Sequence, residues 1–174
     1  MQWVFFKGLY GLGREDRGSV WLGVAGLVLN HKGEWLVVKK RYGGLHGRWS
    51  LPAGFVNKTE TVDQAVLREV QEETGVACKV QTMIGFRSGV IENKISDNMA
   101  IFLLSPLEKE PILQAQLSEL YAVAWAHPSI LINDSEASVM LHELAKNTLK
   151  EGFETLDGIN PGEVFGYTNY KLFF

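Results

Sequence analysis

The chain has 174 residues, 46% apolar and 21% charged, which allows one domain with a proper core and argues against disorder. A formal net charge of −3 argues against non-specific nucleic-acid binding through a basic surface. One cysteine, Cys78, excludes an internal disulfide and points to a reducing compartment.

Residues 1–17 form an N-terminal extension, where aromatics (Trp3, Phe5, Phe6, Tyr10) mix with glycines and a charged GREDRG segment. MQWVFFKGLY has neither a basic leader nor an apolar run of signal-peptide length. The longest apolar run, Val20 to Leu29, is about half of what a bilayer requires. A soluble, cytoplasmic protein without a membrane partner is expected. SVWLGVAGLVL (19–29) reads as a buried strand, NHKG as a turn and EWLVVKK (34–40) as a second strand, together a hairpin. RYGGLHGR is a glycine-rich loop, and WSLPAG is a short extended piece. A helix is expected from about Glu60 to Thr74, capped by Thr59 or Thr61 and ended by Gly75. Strands follow near 78–87, 98–105 and 122–126, with a partly charged loop at 106–120 that has room for a short helical piece. A second helix is expected after an NDS cap, from Glu136 to about Lys150, with Gly152 as its C-cap. NPG makes a turn before a final strand in FGYTNYKLFF.

The first helix carries its glutamates in an unusual phase. At roughly 100° per residue, Glu69 and Glu73 fall within about 20° of Val62, inside the apolar stripe that Ala65, Val66 and Val70 complete. Glu69, Glu72 and Glu73 stand at i, i+3 and i+4, which puts three carboxylates on one face. Near apolar surroundings they repel one another and lose solvation. Arg68 alone cannot offset three anions, whereas a hard divalent cation suits carboxylate and carbonyl oxygens. The alternative is a solvated face with an Arg68–Glu72 pair at i, i+4.

The stretch GFVNKTETVDQAVLREVQEETGV, residues 54–76, resembles the Nudix box, G-x5-E-x7-R-E-U-x-E-E-x-G-U with U aliphatic, at every position. Gly54, Glu60, Arg68, Glu69, Val70, Glu72, Glu73, Gly75 and Val76 carry the match. The preceding WSLPAG and the later AVAWAHPSIL extend the resemblance over roughly residues 18–150. It implies an α/β (α+β) fold, with a mixed β-sheet sandwiched between helices. It also implies hydrolysis of a pyrophosphate bond in a nucleoside diphosphate linked to another moiety, with Mg²⁺, or Mn²⁺ in its place. ADP-ribose, nucleotide sugars, (d)NTPs and dinucleotides are all candidate substrates. A nucleotide-sensing protein with weak catalysis is the alternative.

By the same resemblance, Glu69 and Glu73 are expected as metal ligands, with Glu72 direct or through water and the Ala53 carbonyl beside them. Arg68 would orient its neighbouring glutamate, and Glu60 would steady the turn into the helix. Some members take their general base six residues before a late-strand tryptophan. Here Glu119 stands at that offset from Trp125, with Asp97 and Glu92 as weaker candidates. Arg87 and Arg48 are expected phosphate contacts, with Lys39, Lys40 and Arg41 weaker ones. Trp49, Phe86 and Tyr42 are candidates for base stacking, although core packing is the more common role for aromatics. His46 and His127 lack metal-ligand spacing. The aromatic ends, 1–17 and 151–174, are expected to pack on the domain or on a second subunit as a homodimer.

Overall fold

A computed structural model describes residues 18–147, 155–156 and 158–173. Strand β1 (Val20–Val28) has six consecutive buried residues, Gly23 to Val28. A strand apolar on both faces needs neighbours at both edges and a layer on each side. Its edges are taken by β4 (Ala53–Phe55), antiparallel, and β6 (Ile95–Pro106), parallel. The rest of this sheet is β5 (Cys78–Ile91), β9 (Tyr167–Phe173) and β8 (Thr155–Leu156), in the order β4-β1-β6-β5-β9-β8. A second sheet has β3 (Trp49–Ser50), β2 (Trp35–Lys40) and β7 (Leu120–Ala126), in the order β3-β2-β7.

The expected hairpin of 19–29 with 34–40 is therefore corrected. The two strands enter different sheets, and only a bridge between Leu29 and Trp35 joins them. A turn between adjacent strands cannot compete with a parallel partner that pairs along all of β1.

Helix α1 (Val62–Thr74) covers one face of the larger sheet. Ala65, Val66 and Val70 pack with Val24, Val28, Ala100, Phe102 and Leu104. A capping box between Thr61 and Gln64 starts it, and Gly75, left-handed at φ 76°, ends it. On the opposite face lie Ala25, Leu27 and Ile101 with α2 (Pro128–Leu131) and α3 (Val139–Lys146) through Leu131, Leu141 and Leu144. The result is the expected mixed sheet between helices.

Several local expectations shift. The hydroxyl of Ser138, not the NDS segment, caps α3, accepting from Leu141 N at 3.3 Å. Asp134 instead holds a turn by accepting from Glu136 N. Helix α3 stops at Lys146, and Gly152 lies outside the described residues. Strands β5 and β6 run on to Ile91 and Ile95, so 88–97 is the end of a hairpin with Glu92 and Asn93 at φ 49° and 54° at its tip. Segment 106–120 contains no helix. Gln114 N and Gln116 N donate to the carbonyls of Thr74 and Glu73, which α1 leaves open at its C-terminal end. The aromatic C-terminal end pairs with β5 of its own chain, and residues 1–17 lie outside the described residues. Among the described residues no helix is long and apolar enough to cross a membrane.

Candidate active site

Helix α1 and β4 bring together the residues expected from the helix phase. Glu73 is 2% exposed, whereas the side chain of Glu72 is 52% exposed, so the third carboxylate of the face stays in solvent. Glu69 is intermediate, with 15% of its side chain exposed. Its carboxyl group lies against the backbone of Gly54, where an added Cβ would meet it at 2.1 Å. Only glycine leaves space there.

Each buried carboxylate has a cation. The Arg68 guanidinium donates to Glu60 through Nε at 2.9 Å and Nη2 at 2.6 Å. It also donates to Glu69 at 2.8 Å, Glu72 at 3.0 Å and the Phe55 carbonyl at 3.0 Å. Glu60 in turn accepts from Asn57 N at 2.7 Å, closing the loop before α1. Arg68 holds the Glu60 carboxyl below the usual glutamate range, while the Glu60 and Glu69 contacts, against the opposing effect of burial, leave Arg68 firmly protonated. Burial pushes Glu69 upward; Arg68 opposes this, and the charges of Glu73 and Glu72 add to it.

Glu73 is held from the second sheet. Lys40 Nζ donates to Glu73 Oε1 and to the Ala53 carbonyl at 3.4 Å, and Ala53 N donates to Glu73 Oε2 at 3.1 Å. Burial pushes the Glu73 carboxyl upward, Lys40 pulls it down, and the charge of Glu119 adds to the upward push. Glu119 precedes β7, and its carboxylate accepts from the Tyr42 hydroxyl at 2.7 Å. The structure thus gathers Ala53, Arg68, Glu69, Glu72, Glu73 and Glu119.

Four carboxylates, Glu60, Glu69, Glu72 and Glu73, face two cations, Arg68 and Lys40, and the charge of a fifth, Glu119, reaches Glu73. With the Ala53 carbonyl, this all-oxygen donor set suits a hard divalent cation. Among the described residues, no three acidic, His or Cys side chains converge in a geometry ready for a metal. Glu69 and Glu73 are instead turned to Arg68 and Lys40.

The expected phosphate contacts are not brought to this group. Arg48 donates to the Ser135 carbonyl at 2.9 Å. Arg87 shares a sheet face with Met99, its partner in β6, which packs toward α3 rather than α1. There Asp97 accepts from Arg87 at 2.5 Å and from the Tyr167 hydroxyl at 2.6 Å. The Nε atom of Arg87 is buried without a hydrogen-bond partner. Asp97 is therefore occupied away from the group, and Glu92 stands at the hairpin tip. Trp49 and Phe86 pack against the two apolar clusters. His46 contacts Tyr121, and His127 caps α2 by accepting from Ser129 N.

Lys40 is the residue that sequence reasoning placed too lightly. The alternation of β2 held the signal, since Leu36, Val38 and Lys40 point to one face and Leu36 packs in the α1 cluster. Tyr42, which positions Glu119, carries no comparable signal.

The NUDIX domain family model matches residues 21–145. Nudix hydrolase 8 of Arabidopsis thaliana is 38% identical over 107 residues, 60% of this chain and 28% of the relative. Nudix hydrolase 2 of the same plant is 34% identical over 126 residues, 67% of this chain and 44% of the relative. The chain thus spans less than half the length of these curated relatives. The structure of a MutT protein from Methanosarcina mazei Go1 superposes with a TM-score of 0.61 at 20% identity, covering 75% of this chain and 93% of that one.

Proposed function

The chain belongs to the NUDIX domain family, and on that premise we propose that it is a divalent-metal-dependent hydrolase of a pyrophosphate bond. The substrate is a nucleoside diphosphate linked to another moiety, and water attacks phosphorus. The observation that carries this reading is the burial of Glu69 and Glu73 on the apolar face of α1, beside the Ala53 carbonyl. A folded protein keeps such carboxylates at a cost in desolvation, and cation chemistry gives them a use.

Glu69, Glu73 and the Ala53 carbonyl would hold Mg²⁺ or Mn²⁺, and Glu72 would reach it directly or through water. The cation supplies neutralisation of the pyrophosphate oxygens and a more acidic attacking water. Arg68 fixes the rotamer of Glu69 and ties it to Glu60 and Phe55. Glu119 takes the proton of the attacking water, with Tyr42 orienting the carboxylate. Arg48 and Arg87, engaged by Ser135 and Asp97, have no part in this scheme.

The test is a phosphate-release screen with Mg²⁺ or Mn²⁺ over ADP-ribose, nucleotide sugars, NADH, diadenosine polyphosphates and (d)NTPs. One class is expected to turn over, with loss in chelator and in Glu73→Gln. Metal-dependent nucleotide binding with no turnover of any class would overturn hydrolysis in favour of sensing.

A further inference from the structure

We propose that Lys40 is a tethered counter-cation that competes with the divalent ion for Glu73 Oε1 and the Ala53 carbonyl. This rests on the reading that these two oxygens receive a metal. In the structure the Lys40 ammonium touches both of them. Lys40 is 8% exposed and Glu73 2%, so water cannot easily take the place of either partner. An ammonium is compact and carries one charge on a flexible stem, so it can fill a cation position and leave it again.

The strand places this lysine where it is needed. Alternation along β2 turns Lys40 to the α1 face, and the register with β7 shifts between Lys39 and Lys40. Lys39, one residue earlier, points elsewhere and pairs with Glu136 at 2.8 Å. The same two oxygens cannot serve an ammonium and a divalent ion together, because the cations would repel at contact distance. Metal entry therefore requires Lys40 to withdraw. The metal-free protein keeps a neutralised interior, and metal affinity is set against this internal competitor.

The experiment is calorimetric titration of the full chain with Mn²⁺ at pH 8, without substrate. Wild type, Lys40→Gln, Lys40→Met, Lys40→Arg and Glu73→Gln are compared, with circular dichroism to establish folding. Lys40→Gln keeps a hydrogen-bond donor for Glu73, which protects the comparison if Lys40→Met fails to fold. The two uncharged variants are expected to bind Mn²⁺ at least about fivefold more tightly than wild type. Lys40→Arg is expected to stay near wild type, and Glu73→Gln to lose the site. Thermal melts give a second readout: without metal the uncharged variants melt lower, and Mn²⁺ raises them more than wild type. Equal or weaker Mn²⁺ affinity in the folded uncharged variants would overturn the competition alone. Absence of Mn²⁺ binding in every variant and in wild type would overturn the metal reading with it.

Discussion

A β-carbon added at Gly54 would stand 2.1 Å from the Glu69 carboxyl group. Gly54→Ala must therefore displace the carboxylate or the strand that carries position 54. A shift of about 1 Å in a positioned group can lower turnover a hundredfold. That loss is expected in steady-state kinetics, with little change in the far-ultraviolet circular dichroism. Near-normal turnover would show that Glu69 need not stay where it is.

Arg68 joins three carboxylates and a carbonyl across the entrance of α1. Arg68→Ala leaves Glu60 and Glu69 partly buried and uncompensated, at a cost of about 2 kcal/mol. Arg68→Lys recovers only part of this, since an ammonium cannot fork between two carboxylates. Urea denaturation in chelator measures both, and equal stability of all three proteins would contradict the account.

Glu119→Gln keeps the shape of the side chain and removes its basicity. A general base contributes at least about a hundredfold to turnover. A fall of less than about tenfold would remove Glu119 from that role. Tyr42→Phe is expected to give a smaller loss, because it frees the carboxylate without neutralising it.

Burial pushes the Cys78 thiol up to about 12. An unfolded thiol ionises near 8.5. The folded value is the higher one, so this contribution to stability is fully present below about pH 8.5 and fades as pH rises toward the folded value. Thiolate is the reactive form, so iodoacetamide at pH 8.5 should label the native protein at least about a hundredfold more slowly than the protein in urea. Equal rates would place Cys78 in solvent.

Asp97 joins Arg87 of β5 to Tyr167 of β9. Asp97→Ala leaves a buried guanidinium without its anion and should cost about 3 kcal/mol or more. Tyr167→Phe removes one hydrogen bond and should cost about 1 kcal/mol. Chemical denaturation of the two variants checks the ratio. A Tyr167→Phe loss as large as that of Asp97→Ala would mean that β9 depends on this one bond.

What depends on near neighbours in the chain was legible. The phase of Glu69 and Glu73 follows from 3.6 residues per turn, and the structure buries Glu73 and leaves Glu69 partly buried on the helix that carries Val66 and Val70. Gly75 ends the helix and Thr61 caps it for equally local reasons. Partner choice was not legible. Nothing in SVWLGVAGLVL says that its long edge will pair with residues 96–104 rather than 35–40. Lys40 meets Glu73 across 33 positions, and Tyr42 meets Glu119 across 77. Such contacts are set by how the two sheets come together, which period and composition do not encode. The surroundings of Arg87 were hidden for the same reason: its sheet face is known only once β5 has found β6.

Glu69, Glu73 and Ala53 ride on the larger sheet and its helix, whereas Lys40 and Glu119 arrive with the smaller one. The polar group therefore straddles a seam, and the wedge that sets the seam is hydrocarbon. Leu36, Val123 and Trp125 of the smaller sheet pack in one cluster with Val24 and Val28 of the larger. Close-packed interiors pass a change of one methylene to their neighbours as displacement. The spacing between the Glu119 carboxylate and the oxygens of Glu73 and Ala53 can thus be retuned from inside the molecule, by trimming or enlarging an aliphatic side chain that no solute ever touches.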